Sequence, residues 1–293
     1  MASLKEIRIR ISSVQSTQKI TGAMKLVSAA KLRRAQTAII GLRPYSNKLN
    51  EILTNLSGSI ESSENAPLFE KRDLKKVLLI VITSNRGLCG SFNSTVIKEV
   101  QKCVDHSYKS QFESNNLDLI CIGKKGKEQL SKKFNVIASY ETIVEKPTFD
   151  EMAVLAEQLM HDFSEQKYDI VEVIYNKFIN PATQRVEIEK FLPIENIGEE
   201  KMNASNNVDY IFEPSQKELT QVLIPKILKI QLYKTLLDSI ASEHGARMTS
   251  MSKATDNATE ILRDLKLKYN NARQAAITNE LNEIVGGAEA LKG

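Results

Sequence analysis

The chain has 293 residues, of which 42% are hydrophobic and 26% are charged, and its net charge is +4 at pH 7. This composition is typical of a soluble globular protein with one large domain or two ordinary ones. No apolar run reaches the roughly 18–20 residues of a membrane span, and no secretory signal is recognisable, so membrane-embedded and exported classes are excluded. The three histidines and three cysteines lack metal-ligand spacing and a C-x-x-C motif, so we expect no metal site.

Residues 1–60 predict one long helix with a cationic surface. They contain ten Lys and Arg but two acids, and no acidic residue lies between Ile7 and Asn50. This asymmetry indicates that the segment faces an acidic partner. The basic side chains that we single out are Lys19, Lys25, Lys31, Arg33 and Arg34.

The apolar residues of this helix follow a coiled-coil seam that weakens in the middle. Its apolar positions at 3-4-3 spacing are Leu4, Ile7, Ile11 and Val14, and the seam resumes at Leu32. Between them the same positions are polar. A second stripe, at Ile20, Met24 and Val27, is expected to take over there, so that the apolar face rotates around the helix.

Residues 75–195 predict a separate Rossmann-like α/β domain with a mostly parallel sheet. Continuous β-branched runs are typical of strands buried on both faces, and strands alternate with helical patterns. Strands are predicted at 76–83, 117–123, 135–140, 168–178 and 184–192, with helices near 93–108, 126–134 and 148–165. The last strand is expected to pair with the one before it.

Residues 208–293 predict a second long helix, which begins near a capping box formed by Ser215 and Glu218. Sixty residues, from Lys226 to Val285, would extend about 90 Å as one helix. No single small core could bury such a helix, so it requires a partner helix along part of its length. Antiparallel pairing with residues 1–60 is the geometry that a central domain between the two helices favours.

Two alternative functions rest on local patterns. The loop from Asn85 to Ser91 follows a buried strand and precedes a helix, as in nucleotide-binding enzymes, but it carries neither a dinucleotide fingerprint nor a P-loop. Cys89 within it could be a reactive thiol at a helix N-terminus. The basic first helix could instead indicate a nucleic-acid-binding coiled coil, although interleaved aromatic residues are lacking.

Over its full length the chain resembles the gamma subunits of rotary F-type ATP synthases. Three stretches carry the resemblance: IRIRISSVQSTQKITGAMKLVSAAKLRRAQ at 7–36, TSNRGLCGSFN at 83–93, and ASEHGARMTSMSKATDNATEILRDLKLKYNNARQAAITNELNEIVGGAEAL at 241–291. The resemblance implies α/β architecture plus a long antiparallel coiled coil of the two terminal helices. It also implies a rotor shaft without catalytic residues or cofactors.

The resemblance further implies partners and contact residues. The shaft would insert into a hexamer of three alpha and three beta subunits, and its foot would contact the epsilon subunit and the membrane ring of c subunits; no nucleic acid is expected. Positions matching the beta-subunit contacts are Met24, Lys25, Arg273, Gln274, Thr278 and Glu280. Positions matching the c-ring or epsilon contact are Tyr210 and Glu213, and those of an apolar bearing are Ile284, Val285 and Leu291.

The implied location is peripheral to the membrane. Because the similarity begins by Leu4, we expect no transit peptide and a bacterial chain on the cytoplasmic side of the inner membrane. The implied process is ATP synthesis coupled to proton transport, and the sequence does not distinguish protons from sodium ions as the transported cation.

Overall fold

The computed structural model describes residues 4–56, 66–194 and 216–290. The chain divides into two compact units. The helix-pair unit comprises Met1–Ser28 and Met248–Gly293, and the α/β unit comprises Ala29–Arg247. The three-part division predicted from the sequence, at 1–60, 75–195 and 208–293, stays a prediction.

Two long helices dominate the secondary structure, as the sequence predicts for both ends of the chain. Helix α1 spans Leu4–Leu56 and contains Pro44. The last helix, which we number α7, spans Gln216–Ala290 and contains Pro225. Ser215, the predicted N-cap, lies outside the described residues.

The elements between these helices alternate between strands and helices. A 3₁₀ turn at Ala66–Phe69 precedes them. They are β1 Val77–Ile82, α2 Phe92–Ser107, α3 Lys109–Glu113, β2 Leu117–Ile122, α4 Lys124–Leu130, β3 Asn135–Tyr140, α5 Thr142–Glu145, α6 Phe149–Ser164, β4 Ile170–Asn180 and β5 Thr183–Leu192. All five predicted strands are present within three residues of their expected bounds, whereas the short helices α3 and α5 were not predicted.

The five strands form one sheet in the order β3-β2-β1-β4-β5. The first four strands are parallel, with Val77 of β1 level with Leu117 of β2 and Ile170 of β4, while β5 runs antiparallel to β4. Every residue of β1 is buried, which explains its unbroken apolar sequence, because a central parallel strand is covered on both faces. The predicted α/β domain with a mostly parallel sheet is therefore confirmed.

Within the helix-pair unit, α1 and α7 lie antiparallel in a constant register. Arg8 donates to Tyr269 Oη at 3.0 Å, and ten residues further along α1 Gln18 donates to Thr259 Oγ1 at 2.7 Å. Thr259 lies ten residues before Tyr269, so a step along one helix is matched by an equal step back along the other. The predicted antiparallel coiled coil is confirmed.

The seam between the two helices follows the predicted heptad positions even where they are polar. Ile7 is buried, as are four residues of α7, namely Met251, Ala258, Leu262 and Leu265. In the middle, the hydroxyls of Thr21 and Thr255 lie 2.8 Å apart, and Thr21 is only 9% exposed.

The expected second stripe at Ile20, Met24 and Val27 was wrong. Ile20 and Val27 are 61% and 57% exposed, and Met24 is only half-buried. The apolar face has no need to rotate, because the polar seam residues find hydrogen-bond partners across the interface and can be buried there.

Helix α7 extends further than α1 at one end of the helix-pair unit. Since Arg8 is level with Tyr269, Leu4 is level with residue 273, and residues 274–290 of α7 continue past the first described residue of α1. In the ranges that the structure describes, no helix is long and apolar enough to cross a membrane.

Candidate functional site

The cationic residues of α1 point their side chains to solvent. In the helix-pair unit, Lys19 and Lys25 are exposed, and the Lys25 ammonium donates to Ser252 Oγ at 3.0 Å. In the α/β unit, the next three basic residues, Lys31, Arg33 and Arg34, are also exposed. A helix with exposed cations and no acidic residue between Ile7 and Asn50 presents a positive surface on which an acidic partner is electrostatically favoured.

The polar residues assigned by resemblance to the beta-subunit contact lie on the part of α7 that begins at the level of Leu4. Arg273, Gln274, Thr278 and Glu280 are all exposed. The Thr278 hydroxyl donates to its own helix, at the carbonyl oxygen of Gln274, at 2.9 Å. These side chains are therefore accessible to another protein, and their proposed contacts stay predictions.

The predicted apolar bearing is described for two of its three residues. Ile284 and Val285 are 67% and 56% exposed. Leu291 of the same set, and the predicted c-ring or epsilon contacts Tyr210 and Glu213, lie outside the described residues.

The helix-pair unit exposes many large apolar side chains. Each of the following is at least 49% exposed: Ile9, Ile20, Leu26, Val27, Ile261, Leu267, Ile277, Leu281, Ile284 and Val285. Isolated exposed apolar residues are normal, but so many on two paired helices mark a surface that another protein covers.

The nucleotide-binding alternative can be tested at the carboxyl end of the sheet, where such folds bind phosphate at a helix N-terminus. The first three backbone N–H groups of α4 are already bonded. Their partners all follow β1: Lys124 N–H donates to Asn85 Oδ1 at 3.0 Å, Lys125 N–H to Ser84 O at 3.0 Å, and Gly126 N–H to Thr83 Oγ1 at 2.8 Å.

The backbone also leaves no space for a ligand at the carboxyl end of the sheet, in the crevice between the ends of β1 and β2. Gly123, between β2 and α4, has φ +108°, and a Cβ built on it would lie 2.1 Å from the carbonyl oxygen of Thr83. The two strand ends therefore touch where a ligand would have to enter. These two observations argue against a phosphate site at the N-terminus of α4, next to the 85–91 loop.

Cys89 is a structural thiol in this loop. It is 1% exposed, and burial raises its pKa above the ordinary value. A reactive cysteine needs a lowered pKa and some exposure. The alternative of a nucleophilic Cys89 is therefore wrong. In the described ranges, no three His, Cys, Asp or Glu side chains cluster as a metal site would require.

A buried charged cluster on α7 was not predicted from the sequence. Glu243 and Arg247 are each 7% exposed and form an ion pair at 2.5 Å. Arg247 also donates to the carbonyl oxygens of Gly87 and, at 3.3 Å, Arg86. The available signal was a Glu-x-x-x-Arg pair within a stretch of small and apolar residues, the spacing that joins side chains on one helix face.

Two further ionisable groups on α7, buried Asp238 and half-buried His244, have shifted pKa values. Burial raises the pKa of Asp238 to about 6, partly offset by the positive charges of Lys234, Lys177 and Arg43. Burial, followed by the charges of Lys31 and Arg247, lowers the pKa of His244 to about 4. His244 Nδ1 is buried without a hydrogen-bond partner, so the imidazole is neutral at pH 7.

Comparisons of the sequence identify the family. A family model described as ATP synthase matches residues 3–291. Two curated relatives, each named ATP synthase gamma chain, come from Flavobacterium psychrophilum and Flavobacterium johnsoniae. They are 54% and 55% identical over 293 residues, which cover 100% of this chain and of each relative.

Solved structures of ATP synthases are consistent with this family. A chain of the Tetrahymena thermophila mitochondrial ATP synthase central stalk and c-ring is 26% identical with a TM-score of 0.59, covering 80% of this chain and 99% of that one. A chain of the Euglena gracilis mitochondrial ATP synthase is 20% identical with a TM-score of 0.69, covering 98% and 94%, and shares the fold. The family inferred from sequence is confirmed, and its named members are subunits of an enzyme complex rather than enzymes by themselves. The chain belongs to the family of ATP synthase gamma chains.

Proposed function

We propose that this chain is the central rotor shaft of a proton-translocating F-type ATP synthase, in which it couples rotation of the membrane c ring to conformational change at the beta subunits. The single observation that carries the proposal is the antiparallel helix pair, which leaves many large apolar side chains exposed. Such a unit is incomplete by itself, and a surrounding sleeve of subunits would cover it.

The chemistry of the shaft surface suits a partner that must slip past it. The exposed cations of α1 attract acidic groups at several angles, and each exposed ion pair contributes only about 0–1 kcal/mol. Weak, repeated attraction guides a rotating helix without trapping it at one angle. Lys19, Arg33 and Arg34 are the side chains to which we assign this role, together with Lys25 and Lys31.

The residues of two regions would meet the beta subunits. Met24 and Lys25 lie beside each other on α1, and Arg273 and Gln274 lie on the exposed part of α7, with Thr278 and Glu280 further along the same helix. Exposed guanidinium, amide, hydroxyl and carboxylate groups can all form hydrogen bonds to a partner loop. We assign this polar set to beta-subunit contact.

Apolar contacts would hold the two ends of the shaft. Ile284 and Val285, both exposed, and Leu291 beyond them would sit in an apolar bearing at the top of the hexamer. Tyr210 and Glu213, which follow the α/β domain in the sequence, would contact the c ring or the epsilon subunit. The complex would lie on the cytoplasmic side of a bacterial inner membrane, to which this chain is peripheral.

Rotation can control catalysis because the shaft is asymmetric. Three identical beta subunits can differ in nucleotide affinity only if each contacts a different face of the rotor, since a binding partner shifts an equilibrium only through differential affinity. Each tenfold difference in affinity requires about 1.4 kcal/mol. A cationic α1 and a polar and apolar α7 supply chemically different faces.

Charge reversal tests the guiding role of the cations. Lys25 is bonded to Ser252, and Lys31 contributes to the electrostatics of buried Glu243, so reversing either charge would disturb the chain itself. The variant K19E/R33E/R34E changes only exposed side chains. If each reversal costs about 0.5 kcal/mol, the three together correspond to about a tenfold loss of rotor–hexamer coupling.

The measurement is ATP-driven proton pumping divided by ATP hydrolysis in reconstituted complexes. The matched control, K109E/K132E, reverses two exposed lysines of the α/β unit that the proposal does not place against the hexamer. We expect a lowered ratio in the triple variant and an unchanged ratio in the control. Equal ratios in both would contradict the guiding role.

A further inference from the structure

The ion pair of Glu243 and Arg247 has no part in the contacts assigned above, because both side chains are buried. A buried ion pair is often no more stabilising than apolar residues of the same volume. Its presence therefore needs a reason other than packing, and the other partners of Arg247 suggest one.

Arg247 joins α7 to the loop between β1 and α2. Its guanidinium donates to the carbonyl oxygens of Gly87 and Arg86, while the carboxylate of Glu243 holds the same group from one helical turn away. The planar fork of an arginine can bond several acceptors at fixed angles, which a lysine cannot do. The loop is thus fixed in orientation as well as in distance.

The loop is built to present these carbonyl oxygens. The Ser84 hydroxyl donates to Arg86 O at 2.7 Å, and Asn93 at the start of α2 donates to Ser84 Oγ at 2.8 Å. Leu88 adopts the left-handed region with φ 62°, a conformation that costs a non-glycine residue free energy. The surrounding contacts hold this strained turn in place.

Neighbouring residues of α7 contact the same domain. Ser242 donates to Asn176 O at 3.0 Å, and Ala246 packs with buried Cys89 and Phe92. Gly245 allows α7 to approach the backbone of Pro181, since a Cβ there would lie 3.1 Å from it. This glycine in the interior of the helix therefore lies at a close backbone contact.

We propose that Arg247 is a positioning residue that fixes the β1–α2 loop to α7, so that the α/β domain and this segment of the helix turn as one body. The Arg247 cluster comprises Arg247, Glu243 and the carbonyl oxygens of Arg86 and Gly87. The inference rests on the proposed rotor function, because a tight angular connection matters only where torque passes between the domain and the helix.

The test variant must not leave the buried Glu243 carboxylate without its cation, whereas Arg247 without Glu243 still has the carbonyl oxygens of Gly87 and Arg86 as acceptors. Arg247→Met alone would strand the Glu243 carboxylate, which is strongly destabilising. The double variant E243Q/R247M removes both charges and the bonds to the loop, whereas E243Q alone keeps the bonds from Arg247 to the loop. A third variant, R185M, removes an arginine from an exposed ion pair with Glu187 in the same unit and serves as the matched control.

The main measurement is the angular fluctuation of a bead on the α/β unit in stalled, assembled complexes. A cysteine introduced at exposed Lys109 accepts the bead selectively, because Cys89, Cys103 and Cys121 are buried. We expect the angular variance to rise at least about twofold in E243Q/R247M and to stay at the wild-type value in E243Q and R185M. An unchanged variance in the double variant would overturn the proposal.

Hydrogen exchange of the isolated full chain distinguishes failure of the positioning role from failure of the proposed rotor function. Amides of residues 84–91 are expected to exchange at least about tenfold faster in E243Q/R247M than in E243Q. Faster exchange with unchanged variance would reduce the cluster to a purely local structural role and overturn the positioning role. A wild-type bead that does not rotate with ATP would refute the proposed function, while the exchange result would still report on the cluster.

Discussion

The two halves of α7 differ sharply in how they are packed. From Ile224 to Arg247, in the α/β unit, most residues are buried, including every residue from Thr235 to Glu243. From Ser252 to Ala288, in the helix-pair unit, the only buried residues are Ala258, Leu262 and Leu265. One continuous helix is therefore an internal element along one part of its length and a surface element along another.

The two halves of α7 therefore place different demands on their side chains. A helix buried all round must satisfy every polar side chain within the protein, as Ser242 and Arg247 do. A helix with one narrow seam needs little more than a partner helix, and its other faces remain available to other subunits. We therefore expect the first half to contribute more to stability and the second half to offer more surface for contact with other subunits.

The largest effect is expected from truncating a side chain in the buried half. Leu236 is fully buried, so Leu236→Ala is expected to lower the free energy of unfolding by about 2–5 kcal/mol through lost burial and the cavity left behind. Leu281, which is 57% exposed, gives the matched control, and L281A is expected to change it by less than about 0.5 kcal/mol. Urea unfolding of the full chain measures both free energies. Similar losses in the two variants would contradict the difference between the buried and the exposed half of α7.

A buried acid in the same half is expected to destabilise the chain at neutral pH. The folded-state pKa of Asp238, about 6, lies above its ordinary value of 3.8, so the folded protein holds the proton more tightly. Its contribution to stability therefore falls as pH rises from about 4 through 6. We expect D238N to raise the free energy of unfolding by about 1–3 kcal/mol at pH 7.5, and the gain to disappear at pH 4.

Urea unfolding at the two pH values checks this gain. Asp105→Asn, at a position exposed on α2, provides the control and should show no such dependence. A gain that is equal at both pH values would have to come from packing rather than from the charge of Asp238.

His244 is expected to act in the opposite direction. Its folded-state pKa of about 4 lies below the ordinary 6.5, so the unfolded chain binds the proton first, and stability is lost as pH falls from 6.5 to 4. The cations that face it, Lys31 and Arg247, reinforce this. Replacing it by Met should remove about 1–2 kcal/mol of that acid sensitivity. The free energy of unfolding, measured from pH 7 to pH 4.5, gives this acid sensitivity. As a control, His161→Met, at an exposed position on α6, should leave the dependence of that free energy on pH unchanged.

The smallest effect concerns the polar seam of the helix-pair unit. The hydroxyls of Thr21 and Thr255 lie 2.8 Å apart, and each also lies within hydrogen-bond distance of a carbonyl oxygen of its own helix, Gln18 O and Met251 O. Because each hydroxyl carries one proton, only two of these three hydrogen bonds form at a time. A double-mutant cycle of T21V and T255V should therefore give a coupling of only about 0.5–1 kcal/mol. Amide hydrogen exchange of residues 10–28 measures this coupling free energy. A coupling as large as the effect of L236A would contradict the proposed difference in stability between the two halves of α7.

Much of the fold could be predicted because the signals are local. The unbroken apolar run of β1 predicts a strand buried on both faces, and the heptad spacing of α1 predicts the buried residues Ile7 and Leu32. The stripe at Ile20 and Val27 failed because apolar character alone was taken to define the interface. Hydrogen bonds across the seam made the polar face the buried one.

The Arg247 cluster could not be predicted, because its partners lie about 160 residues away in the sequence. No periodicity indicates that a carbonyl oxygen of one loop will face a guanidinium of a distant helix. Likewise, the closed crevice beneath α4 depends on the contact between Gly123 and Thr83, which only the packed sheet brings together.

The sequence by itself determined the two long helices, the heptad positions at which they pair, the strands of the central sheet and the cationic surface of α1. Each of these depends on residues that are neighbours along the chain. Only the tertiary structure decided which half of α7 is enclosed, which polar groups meet in its interior and which apolar side chains stay uncovered. Those outcomes depend on groups far apart in the sequence, whose burial and hydrogen bonding are decided when the elements pack together.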